Sequence, residues 1–145
     1  MKYKKIISTI NIATGILTIL VGGLHFLMVG HLRDWIYSQV NGKEAENIFA
    51  AFNINHTASG VFLILIGFIL TYCSIVGLRY GKRWARIIVT LFGITLSLLA
   101  LVLWTTVPKM FLEAVAFRTA LISLFITGFL IVLPLLAYKK YFNSL

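Results

Sequence analysis

The run Phe52-Asn53-Ile54-Asn55-His56-Thr57-Ala58-Ser59-Gly60 is the polar opening of a segment that carries no charge from Asn47 to Leu78. At about 1.5 Å per residue a helix over 47–78 reaches about 48 Å, more than the roughly 30 Å of a bilayer's hydrocarbon core. Its first turns are therefore expected to stand outside the core, with Asn53, Asn55 and His56 near the boundary. Wound as a helix, Asn53, His56, Gly60, Gly67, Thr71 and Ser74 fall on one narrow stripe. In lipid such a stripe marks a packed face, because small residues let backbones approach and acyl chains offer polar groups no partner.

Working outward, the same pattern recurs. Uncharged runs cover 6–32, 87–108 and 119–138 as well, each long enough to cross a bilayer. The expected fold is an all-α integral membrane protein. Four transmembrane helices, at about 6–30, 47–78, 87–107 and 118–138, form an up-down-up-down bundle, a single domain over 1–145. Composition agrees: 60% of residues are hydrophobic and 12% charged, against about 45–50% apolar in soluble domains. A transmembrane β-barrel is excluded, since it needs shorter segments of alternating polarity. The Met1-Lys2-Tyr3-Lys4-Lys5 start resembles a signal peptide only superficially. Its apolar run is too long, and no small-x-small site precedes His31.

Charge gives the expected orientation. Lys2, Lys4, Lys5, Arg79, Lys82, Arg83, Arg86, Lys139 and Lys140 fall on one side of a four-helix chain, while Arg33, Lys43, Lys109 and Arg118 fall on the other with all the acids, Asp34, Glu44, Glu46 and Glu113. The positive-inside rule then places both termini in the cytoplasm of a cell-membrane protein. The formal charge of +9 is an inner-face charge that attracts anionic membrane lipid. It is split among a terminus, a tight turn and a tail, which is not the single basic patch of a nucleic-acid binder.

The first apolar run has its own stripe, Ser8, Asn11, Gly15, Thr18, Gly22 and His25; the third has Thr90, Gly93, Ser97 and Ala100; the fourth has Thr119, Ser123 and Thr127 with Gly128 beside them and Pro134 near its inner end. Between the first and second runs, Leu32, Trp35, Ile36 and Val40 recur at helical spacing, with Asp34 as an early-turn or capping acid and Asn41-Gly42 as a stop. This predicts a short outer amphipathic helix at headgroup level. A new helix start follows at Lys43-Glu44-Ala45-Glu46.

Candidate chemistry concentrates on the histidines. The topology brings His25, His31 and His56 to one level, and His25 and His56 lie on facing stripes. Intramembrane ionisable groups mark functional sites by default. Three readings follow. Neutral histidines can hydrogen-bond each other, Asn53, Thr57 or a backbone carbonyl and fix helix pairing. His25 and His56 can serve as axial ligands to haem, with Gly22 and Gly60 leaving room for the flat ring, or, with His31 and Asp34 or Glu46, can bind a transition metal. A pocket of His25, His56, Asn53 and Asn55, with His31 or Glu113 at its mouth, can hold an organic ligand such as a quinone or lipid headgroup. The corresponding roles are a ligand-binding or accessory subunit, a haem- or metal-binding redox subunit, and a structural partner in a larger membrane complex or homo-oligomer.

Absences narrow the choice. No Asp or Glu lies in a spanning run, which disfavours a proton-coupled exporter that needs a membrane-embedded carboxylate. The lone Cys73 permits neither a disulfide nor a Cys-x-x-Cys redox motif. No hydrolase triad, zinc-protease helix or phosphate-binding glycine loop is present, so the reading leans away from an enzyme.

Overall fold

The computed structural model describes residues 2–107, 109–113, 115–137 and 142. The chain is all-α: α1 (Lys2–Leu27), α2 (Val29–Gln39), α3 (Gly42–Val76), α4 (Arg83–Thr106), α5 (Lys109–Glu113) and α6 (Val115–Ala137), with a 3-10 turn at Leu78–Tyr80 and no strand among the described residues. Four stretches are long and apolar enough to cross a membrane: Lys2–Leu27, Gly42–Tyr80, Arg83–Thr106 and Phe117–Ala137. These are the four runs expected from the sequence. Lys139 and Lys140 of the orientation argument, and Pro108, lie outside the described residues.

The exposed surface is apolar, unlike that of a soluble protein, and some polar groups lie inside. Ser8, Asn11, Thr18 and Ser74 are buried, while Leu17, Leu20, Leu65, Phe68, Leu91, Leu98, Phe129 and Leu130 stand exposed along the helices. Water would penalise that distribution, whereas acyl chains accept it and force polar groups inward. The chain is a multi-pass membrane protein.

Two compact units make up the chain, Gly15–Ile69 and the residues up to Thr14 together with those from Leu70 on. In the first unit, α1 and α3 run antiparallel with glycine against glycine. A methyl group added at Gly22 would sit 2.7 Å from the Gly60 carbonyl oxygen, and one at Gly60 would sit 3.0 Å from that of Gly22. One heptad earlier along α1, a methyl group added at Gly67 would sit 2.5 Å from the Gly15 carbonyl oxygen. Only residues without a Cβ permit backbones this close.

In the second unit, the Ser8 hydroxyl at the start of α1 donates to the Ser74 carbonyl of α3 at 2.7 Å, a buried bond between antiparallel helices. The hairpin from α3 to α4 is closed by backbone bonds from Tyr80 and Lys82 N–H to Gly77 O, and from Gly81 N–H to Leu78 O. Gly81 takes φ +77°, a left-handed conformation that suits glycine. Helices α4 and α6 pair through Gly93 and Gly128, and the Ser97 hydroxyl lies 3.4 Å from the Phe125 carbonyl. Successive long helices in this unit therefore alternate in direction.

Two local expectations are corrected. The outer helix α2 starts at Val29 with Met28 at its N-cap and no side-chain cap bond, so Asp34 sits in mid-helix and caps nothing. Its amphipathic character stands: Ile36 is buried and Leu32 and Trp35 are half-buried, while His31, Arg33, Asp34, Tyr37 and Ser38 are exposed. It stops at Gln39, and α3 opens at Gly42, φ +65°, with Glu44 in its first turn. In α6 the packed face is Leu121, Gly128, Ile131 and Leu135, and Thr119 and Ser123 are exposed. Helical hydroxyls need no neighbouring helix, because they bond the carbonyl one turn back, as Thr95 does to Leu91 and Thr106 to Val102. Glycine has no substitute for a close approach, so Gly128 sets the face.

Candidate functional site

The polar end of the Gly15–Ile69 unit is built by the glycine contact beneath it. With α1 and α3 drawn together at Gly22 and Gly60, the residues one turn further out, His25 on α1 and His56 on α3, cannot avoid each other. Their rings stack with centroids 4.5 Å apart and 29° between planes. Gly60 accommodates the pair directly, since a Cβ there would lie 3.0 Å from His25 Cβ.

Each ring is held differently. His25 Nδ1 lies 2.9 Å from the Val21 carbonyl of its own helix. A carbonyl only accepts, so Nδ1 carries the proton and, in the neutral ring, Nε2 is left as an acceptor. His56 Nε2 is buried with no hydrogen-bond partner, and so is Asn53 Oδ1 one turn earlier on α3. An unmade bond in an apolar setting costs about 1–3 kcal/mol; Asn11 Oδ1, Thr71 Oγ1 and Thr90 Oγ1 are in the same state elsewhere along the helices.

The remaining sequence candidates are exposed. Asn55 is exposed on the opposite side of α3 from the packed stripe, and His31 is exposed on α2. Glu113 ends the short helix α5, exposed and within the other compact unit. Among the described residues no group of three or more His, Cys, Asp or Glu side chains converges as a metal site, so His31, Asp34 and Glu46 do not join the stacked pair. Haem does not fit between the rings either. Axial ligation needs one nitrogen of each ring to approach the iron from opposite sides of the macrocycle, and two faces in contact leave no gap for it. The space expected beside the glycines is taken: a Cβ at Gly22 would meet Ile64 Cγ1 at 2.7 Å. Glycine here brings helices together instead of making room for a cofactor.

The sequence pattern gave the His25–His56 pairing. It did not find the Val21 carbonyl as the partner of His25, although the i to i−4 relation of a helix contains that signal. No protein-family model matches the chain, and neither a curated protein nor a solved structure matches it.

Proposed function

We propose that this protein is a membrane binding or accessory subunit that holds the polar headgroup of an amphiphile at His25, His56 and Asn53. The observation that carries this reading is the pair of buried, unpartnered atoms, His56 Nε2 and Asn53 Oδ1, on successive turns of α3. Acyl chains offer these two atoms no partner, so a ligand that supplies one gains the bonds they lack. The ligand chemistry follows from the atoms. Asn53 Oδ1 requires a donor, and His56 Nε2 takes either a donor or an acceptor according to its tautomer. A hydroxyl or amide headgroup on an apolar tail supplies both and reaches the site from the surrounding lipid.

Native mass spectrometry of the full chain in a non-ionic detergent tests this. The wild-type protein is expected to retain a co-purified amphiphile, and Asn53→Leu and His56→Leu to weaken its retention roughly 5- to 30-fold each, the value of one hydrogen bond made away from water. The same substitutions remove orphaned groups, so the ligand-free variants should be as stable as the wild type or more so. A wild-type protein with nothing bound, or variants that are clearly destabilised, would show the cluster to be structural.

We further propose that the Lys-rich start of α1 and the Arg- and Lys-rich turn from α3 to α4 face the cytoplasm, with the histidine pair on the outer side. The positive-inside bias supports this. Reporter fusions after Asn41 and after Tyr80 are expected to report outside and inside respectively; the reverse result would move the binding site to the cytoplasmic face.

A further inference from the structure

The other compact unit carries a second feature, independent of the histidine site. In the unit that contains the start of α1 and the end of α3, a cavity of about 150 Å³ is lined by Lys5, Ser8, Thr9, Ile12 and Arg79. It has room for several waters, at about 10–15 Å³ each, or for one headgroup of comparable bulk. Two cations line it and no acid does. None is near in sequence: residues 2–14 and 70–86 contain Lys2, Lys4, Lys5, Arg79, Lys82, Arg83 and Arg86 and not a single Asp or Glu. On α4 in the same unit, the Arg86 Nε is buried without an acceptor.

One wall is fixed by the fold. Ser8 spends its hydroxyl proton on the Ser74 carbonyl, which ties α1 to α3 and leaves Ser8 as a wall with no proton to give. The lining residues that can still donate are then Lys5, Arg79 and Thr9, with Ile12 the apolar member of the lining. A forked guanidinium, a mobile ammonium and a hydroxyl match the tetrahedral oxygens of a phosphate group. Basic pockets at the inner ends of transmembrane helices take anionic headgroups by the same chemistry.

From this we infer that the Lys5–Thr9–Arg79 cavity is a binding site for a phosphate-bearing anion, supplied either as a phospholipid headgroup or as free phosphate. Native mass spectrometry of the full chain in a neutral detergent, titrated with phosphatidylglycerol, with phosphatidylcholine and with inorganic phosphate, tests it. The double change Lys5→Gln with Arg79→Gln is expected to weaken anion binding about thirtyfold, at about one kilocalorie per basic residue. Lys2→Gln with Arg83→Gln removes equal charge from the same end outside the cavity and should cost less than about threefold by screening of exposed charge. Thr9→Phe keeps every charge but fills the cavity, and is expected to lose binding as the first pair does. Phosphatidylglycerol displaced by inorganic phosphate would assign a site that also takes free phosphate, and phosphatidylglycerol that resists displacement would assign the lipid; both uphold the site. Equal weakening by the two charge pairs, or anion binding that ignores Lys5 and Arg79, would overturn it and leave only diffuse attraction to a basic surface.

Discussion

A Gly22→Val chain should lose at least about 3 kcal/mol of stability, the upper part of the range for overpacking a tight contact. A first methyl at Gly22 already lies 2.7 Å from the Gly60 carbonyl oxygen and 2.9 Å from the Ile64 nitrogen. Both obstacles are backbone atoms of α3, so no rotamer change relieves them, and a branched side chain must push the helices apart. Separation also unstacks His25 from His56, whose rings meet one turn above the contact. Denaturation in detergent micelles followed by ellipticity measures the loss, and hydrogen exchange should show it in α1 and α3 within Gly15–Ile69. The neighbouring Gly23 is the control, as a Cβ there meets nothing within 4 Å. Gly23→Ala should stabilise by up to about 1 kcal/mol through helix propensity alone. Equal responses at the two positions would remove the glycine contact from the account of this unit.

Gly128→Val should have an effect of similar size, about 3 kcal/mol, in the other unit. A Cβ at Gly128 would lie 2.5 Å from the Gly93 carbonyl oxygen and 2.9 Å from the Ser97 nitrogen, again backbone on the facing helix. The expected signature is faster hydrogen exchange in α4 and α6. Ser123→Val, on the exposed side of α6, should stay within about 0.5 kcal/mol. A large loss at Ser123 with a small one at Gly128 would restore the hydroxyl-bearing face as the packed one.

The candidate site divides along the same line. His25, His56 and Asn53 were legible because period and direction suffice: two stripes on antiparallel helices, counted from a common turn, meet at the same height. Their state was not legible. Whether two facing imidazoles ligate a metal, share a proton or stack depends on an interhelical distance, and at Gly22 and Gly60 that distance is set by both helices at once. Asn55 and His31, which the topology put at the same level, are both exposed, Asn55 because it lies about 200° round the helix from Asn53.

The four membrane-length helices needed only the chain, because a bilayer admits so few solutions for long uncharged runs that hydropathy and charge placement select among them locally; the short α5 was not among the expected elements. The run Asn47–Leu78 had to be one helix too long for the membrane core, and α3 is that helix. The tertiary structure decided which small residues are contacts and which merely satisfy themselves, as Gly128 against Ser123 shows. It also decided that His25 and His56 stack, and that Lys5 and Arg79, far apart in sequence, line one cavity. Each of these depends on two helices meeting at a particular separation and rotation, and that is a property of the pair which neither helix carries alone.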